Sequence, residues 1–240
     1  VCDPIRKECN GEMWIFEDPI KGNEYVGFLD VGTPEGNDFS SYQIINITTG
    51  TQAAEFKGKR NSKSLAEIIF RYGNLYSALT DIDTTGGYGD NVLTELETSG
   101  FKLLKKDDNN EAKGFKFSGI SRPKVFQRFI EYVGDDSIKI KSERVITELK
   151  TFIWVNGRPD HTRGFNDDAI TALAGGIWLF ETSFKDVKRV QEASKSIINA
   201  WINGGKSQNE RTKTLGRQNN KRIKIIQNGI DISEYSWVLR

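Results

Sequence analysis

Three segments with alternating apolar residues, at 25–30, 41–47 and 51–57, follow one another across tight connections. Strands joined so closely pair with their directions opposed. The next strand-like segment, "SALTDID" at 77–83, comes only after "KSLAEIIFRYGN" at 63–74, whose Leu65, Ile68, Ile69 and Tyr72 have helical spacing. A strand reached through a helix returns parallel to an earlier one. This order predicts an α/β chain with a mixed central sheet, three antiparallel strands followed by parallel strands, flanked by helices. One more strand is expected at 13–17. Helices are expected at 89–100, 122–135, 143–154 and 167–184, short strands at 101–104 and 137–142, and loops at 105–119 and 155–166.

Composition narrows the chemistry. The chain has 240 residues, 37% of them hydrophobic, enough for a sizeable core. No apolar run approaches the roughly 18 residues of a membrane span, so no membrane association is expected. The N-terminus lacks the apolar stretch of a signal peptide and does not begin with Met, so the chain is expected to be a piece of a longer protein. Two cysteines, Cys2 and Cys9, and one histidine, His161, are too few for a four-ligand zinc site. A reducing compartment is the simpler setting for the two thiols. A nucleophile–histidine mechanism would have to use His161, and any metal is expected to be a hard cation on carboxylate oxygens.

Two glycine-rich motifs fail on inspection. "GGKS" at 204–207 ends like a phosphate-binding loop, but Ala200 stands where that pattern needs glycine, and the segment follows a helix. "TTGGYGD" at 84–90 does not complete a dinucleotide fingerprint. The acids carry more. Asp30 ends the first long strand, Asp81 and Asp83 end the strand at 77–83, and Asp167 and Asp168 begin a helix. Taken singly, each has an ordinary explanation: a turn residue, or an acid favoured at a helix N-terminus. Together they suit one place, because central strands bring their ends together and a late helix can set its first turn beside them. Crowded carboxylates stay ionised only if cations neutralise them. Two divalent ions about 3.5–4 Å apart would do so and would serve phosphodiester cleavage. On this reading Asp30 is a metal ligand.

The ordered segments "GFLDVGTPEGNDFSSYQII", "DIDTTGGYGDNVLTEL", "TELKTFIW" and "GFNDDAITALA" resemble the C-terminal nuclease domain of the large terminase subunit of tailed bacteriophages, over roughly residues 12–183. The resemblance implies an RNase H-like (RuvC-like) fold. It implies a Mg²⁺- or Mn²⁺-dependent endonuclease that uses two divalent ions to cut concatemeric double-stranded viral DNA during packaging, with weak sequence preference. By position it assigns Asp30, Asp83 and Asp167 as catalytic metal ligands. Asp81 stays as a ligand or a neighbour of the site, because "DTTGGYGDNV" carries one glycine more than the family's turn. Asp168 stays beside the preferred Asp167. Asp38 is expected to support the acids or to shape its loop. The resemblance further implies an N-terminal packaging ATPase, a portal and a small terminase subunit as partners, and action in the host cytoplasm, transiently on the procapsid.

DNA phosphates are expected to meet Lys105, Lys106, Lys113, Lys116, Arg122, Lys124, Arg158 and Arg163. Trp154, Phe152 and Trp178 are expected in the core, and His161 in a loop. A nuclease domain at 1–184 and a tail at 185–240 are expected. The tail holds twelve basic and five acidic residues, a balance of +7 that leaves −6 on the rest. It is read as a helix at 185–203, a basic linker, and an aromatic end with Tyr235 and Trp237. The alternatives are a resolvase or ribonuclease on the same fold, and a docking module for portal or ATPase whose acids are structural.

Overall fold

The computed structural model describes residues 1–33, 38–162 and 164–185, and two short strands at 226–227 and 230–231. The chain forms two compact units, Val1–Arg189 and Val190–Arg240. In the second, Ile226–Gln227 pairs antiparallel with Ile230–Asp231. The expected helix at 185–203, the basic linker and Tyr235 and Trp237 lie outside the described residues beyond Lys185.

The first unit is built on a six-stranded sheet. Its strands are β1 (Arg6–Glu8), β2 (Met13–Ile15), β3 (Tyr25–Asp30), β4 (Ser40–Asn46), β5 (Thr51–Gly58) and β6 (Leu79–Ile82). They lie in the order β1-β2-β5-β4-β3-β6. All pairs are antiparallel except β3 with β6, where the crossover through helix α1 (Ser62–Tyr76) makes them parallel. The helix begins where the Asn61 side chain accepts from the Ser64 N–H at 2.9 Å and ends at Ser77, whose φ is 50°. Helices α2 (Tyr88–Thr98), α3 (Ser121–Gly134), α4 (Glu143–Leu149) and α5 (Asp168–Phe180) complete the unit.

Alternation along β3 divides the core. Leu29 packs with Tyr42, Ile44 and Phe56 of the sheet and with α1 and α2, whereas Val26 and Phe28 pack with α3, α4 and α5. Two glycines permit close approaches. A Cβ on Gly27 would lie 2.2 Å from the Tyr42 hydroxyl, which instead reaches Thr80 Oγ1 at 2.8 Å. A Cβ on Gly175 would lie 2.5 Å from the Phe28 ring, so α5 can lie close against β3. From Gly175 back to Asp168 the helix rises about 10 Å, enough to carry its first turn toward the end of β3.

Several elements differ from the sequence expectation. The helix at 143–154 stops at Leu149, and a hairpin follows, β7 (Phe152–Val155) with β8 (Arg158–His161). Its two-residue turn is Asn156–Gly157, with φ of 51° and 73°, the hairpin turn that this dipeptide favours. Residues 137–142 form no strand; Lys139 makes a single parallel bridge to Thr51. Leu104 and Phe115 likewise extend the parallel side by single bridges, to Thr80 and Asp83. The edge strand β1 has no counterpart in the sequence reading. Trp154 is 43% exposed on the hairpin rather than buried, while Phe152 stacks on Phe126 with centroids 4.9 Å apart, packed on the core.

Candidate active site

The parallel register sets the first two acids side by side. Leu29 pairs with Ile82, and the Asp83 N–H donates to the Leu29 carbonyl at 2.8 Å, so Asp83 comes level with Asp30. Their carboxyls lie close enough to influence each other's ionisation. The N-terminus of α5 supplies Asp167 and Asp168. Asp30, Asp38, Asp167 and Asp168 line one cleft of about 310 Å³ with Arg122 and His161.

The crowding has an electrostatic signature. Burial, followed by Asp83, Asp168 and Asp167, holds the Asp30 carboxyl well above the usual carboxylate range, with Arg122 opposing. Burial also raises Asp83, against hydrogen bonds from Thr85, whose N–H donates to Oδ1 at 2.7 Å. Burial pushes Asp168 up to about 6, opposed by the Phe39 N–H and by Lys57. The two residues at the start of α5 therefore play different parts. Asp167 faces Arg122, whose Nη2 donates to its Oδ2, and its Oδ1 stands 3.7 Å from His161 Nδ1. Asp168 is buried, accepting the Phe39 N–H at 3.1 Å with Lys57 Nζ at 4.0 Å.

Lys57 and Glu148 escaped the sequence reading. In the register of β3, β4 and β5, Asp30 pairs with Ser41 and Ser41 with Lys57, so one row across the sheet carries an acid, a hydroxyl and a base. Lys57 forms an ion pair with the buried Glu148 of α4, whose other oxygen accepts the Ile170 N–H at 3.0 Å. Burial pushes Glu148 up to about 7 despite Lys57. The pair ties the first turn of α5 to the sheet and to α4. A row of charges at successive strand ends was the available signal for Lys57. Glu148, on the buried face of α4 with Val145, sat inside "TELKTFIW" as an ordinary helical acid.

Other expected site residues lie elsewhere. Asp81 is two residues back from Asp83, about 6.6 Å along the strand. It is buried, its carboxyl pushed up to about 6, and Lys105 Nζ stands 3.7 Å away. Asp81, expected as a ligand or a neighbour of the site, thus pairs with Lys105, which was expected at DNA phosphates. Lys113 is held by Asp107 at 2.6 Å and Glu111 at 3.1 Å within its own loop. Lys106, Lys116, Lys124 and Arg158 are exposed. Arg163 lies outside the described residues.

Among the described residues no three acids, histidines or cysteines stand in the tight spacing of a ready-made metal cage. The donors still suit a hard divalent cation. Asp30, Asp83 and Asp167 offer only oxygen, they burden one another with negative charge, and a guanidinium already serves Asp167 as a stand-in cation.

No family model and no curated protein matches the sequence. Solved structures do. The large terminase nuclease from thermophilic phage G20c aligns over 73% of this chain and 92% of its own, at 17% identity and a TM-score of 0.58. The same nuclease with bound magnesium aligns over 73% and 91%, at 16% and 0.59. The large terminase nuclease domain of Thermus phage P74-26 aligns over 75% and 92%, at 14% and 0.59. The chain has the RNase H-like fold of the large terminase nucleases. In this fold the ends of β3 and β6 lie side by side, and the end of β3 and the start of α5 line the acid cleft.

Proposed function

We propose that this chain is the nuclease part of a large terminase, a Mg²⁺- or Mn²⁺-dependent endonuclease that cuts concatemeric double-stranded viral DNA during genome packaging. The observation that carries the reading is the approach of Asp30, Asp83 and Asp167, distant in sequence: Asp30 and Asp167 line one cleft, and Asp83 stands level with Asp30 on the neighbouring strand. These three would hold two divalent ions, which when bound would supply an activated water and neutralise charge on the attacking and leaving oxygens. The chain's own residues would do the rest. Lys57 and Glu148 fix the turn that bears Asp167, and His161 stands against Asp167 from the hairpin side. Lys106, Lys116, Lys124 and Arg158 would meet backbone phosphates, giving weak sequence preference and strong salt dependence. In the full protein the domain would work with a packaging ATPase, a portal and a small subunit, in the host cytoplasm and transiently on the procapsid.

The test is cleavage of supercoiled plasmid with Mg²⁺, Mn²⁺ or EDTA. A closed circle has no ends, so nicked and linear products identify an endonuclease. Products are expected with either metal and none with EDTA. Faster cutting of four-way junctions or of RNA–DNA hybrids than of duplex DNA would transfer the reading to a resolvase or a ribonuclease.

A further inference from the structure

Arg122 is built into the cleft more firmly than a solvated surface arginine. It sits in the first turn of α3, its side chain 28% exposed. Its Nη2 donates to Asp167 Oδ2 and lies 3.4 Å from Thr171 Oγ1. Its guanidinium lies over the Phe126 ring at 4.8 Å and over the Phe117 ring at 5.6 Å. A planar cation held by two rings and a carboxylate has a fixed place, and lysine would not reproduce that arrangement. Its charge also reaches Asp30 and Asp83, favouring their ionised forms.

Resting on the metal-nuclease reading, we propose that Arg122 is the resident counter-cation of the cleft: it holds Asp167 in the metal-free protein, competes with a divalent cation for that carboxylate, and once displaced grips a non-bridging oxygen of the phosphodiester. Asp167 Oδ2 cannot give its full charge to a guanidinium and a divalent ion together. An ion that takes the oxygen loosens the arginine. The aromatic rings keep the freed group inside the cleft, where its planar fork matches phosphate geometry. The two roles pull in opposite directions when Arg122 is removed. Metal binding tightens because a competitor is gone, and cutting slows because a phosphate contact is gone. A residue that only supports the fold would weaken both.

The experiment is Mn²⁺ titration of the DNA-free, full chain by electron paramagnetic resonance, beside plasmid cleavage at saturating Mn²⁺, with folding checked by circular dichroism. Arg122→Gln is expected to bind Mn²⁺ about two- to fivefold more tightly, the scale of one partly exposed ion pair. Its cleavage rate is expected to fall by about 10–100-fold, the scale of a lost charge-assisted hydrogen bond. Arg122→Lys, which keeps the charge without the fork, should tighten binding by a smaller factor and recover part of the rate. It decides the matter if Arg122→Gln fails to fold. Folded variants that bind Mn²⁺ no more tightly than wild type, or that cut at the full rate, overturn the inference alone. Wild type that binds no Mn²⁺, or binding untouched by Asp30→Asn, overturns the metal reading and the inference with it.

Discussion

Asp30→Asn separates a metal ligand from a structural acid. In the protein without metal, the Asp30 carboxyl is crowded by Asp83, Asp168 and Asp167. Removing its charge relieves repulsion, so the melting temperature should stay level or rise while plasmid cleavage disappears. Loss of cleavage together with loss of folding would assign Asp30 a structural role. Asp81→Asn makes the contrast: it removes an acid paired with Lys105, and cleavage should remain near wild type while Asp83→Asn abolishes it. The acids at the two strand ends and at the helix start were legible in the sequence because divalent-metal chemistry needs oxygen donors and little else was on offer. The choice between Asp81 and Asp83 was not legible. Residues two apart on a strand point to the same face, and only the register of β6 on β3 decides which acid stands level with Asp30. The Lys57–Glu148 pair was equally hidden, because it joins positions 91 residues apart.

At the scale of elements, the start of α5 is the piece that must be placed, and three tethers place it. Glu148 accepts the Ile170 N–H, Lys57 holds Glu148, and Asp168 accepts the Phe39 N–H. Lys57→Met would leave two buried carboxylates without their cation. It should destabilise the unit by about 3 kcal/mol, the scale of breaking one side of a buried pair, as read from urea denaturation. It should also weaken metal binding by about 10–100-fold, as loss of support behind a ligand does. Adding Glu148→Gln to Lys57→Met should recover part of the stability but little of the metal affinity. Equal recovery of both would mean that the pair acts on stability alone. The neighbouring hairpin shows where sequence reading loses an element. The apolar spacing in "TELKTFIW" continues plausibly past Leu149 as a helix, yet Asn156–Gly157 and the alternation around it fit a two-residue hairpin turn. Helical periodicity was followed across a boundary that turn chemistry marks. The antiparallel strands, the α1 crossover and the parallel β6 were readable because connection length and pairing direction are local in the chain. The bridges from Lys139, Leu104 and Phe115 are single contacts with no periodic pattern to announce them.

At the scale of the whole molecule, the cleft ties stability to pH and to metal. Asp30, Asp83 and Asp168 all have folded carboxyls above the ordinary value of 3.8, with Asp168 near 6. The sign follows from the direction of these shifts. A carboxyl raised by folding favours the protonated form, so its contribution is fully present below the unfolded value and is lost as pH rises through the folded one. In EDTA the cluster should therefore lower the melting temperature progressively as pH rises from about 4 through 6, with Asp30, also raised well above its ordinary value, adding to the fall. Other titrating groups act on the same range, so the useful quantity is the difference between Asp30→Asn and wild type, in which they largely cancel. That difference should be positive and largest near pH 7.5 and should shrink toward pH 5. Saturating Mg²⁺ should raise the wild-type melting temperature at pH 7.5, since a ligand bound only by the folded state stabilises it. It should do so far less for Asp30→Asn, reversing the order of the two proteins. Scanning calorimetry across this pH range, with and without Mg²⁺, checks both parts. A difference that is flat in pH would mean that the acids do not crowd one another in solution. An unchanged order with Mg²⁺ would mean that the cleft does not bind the ion.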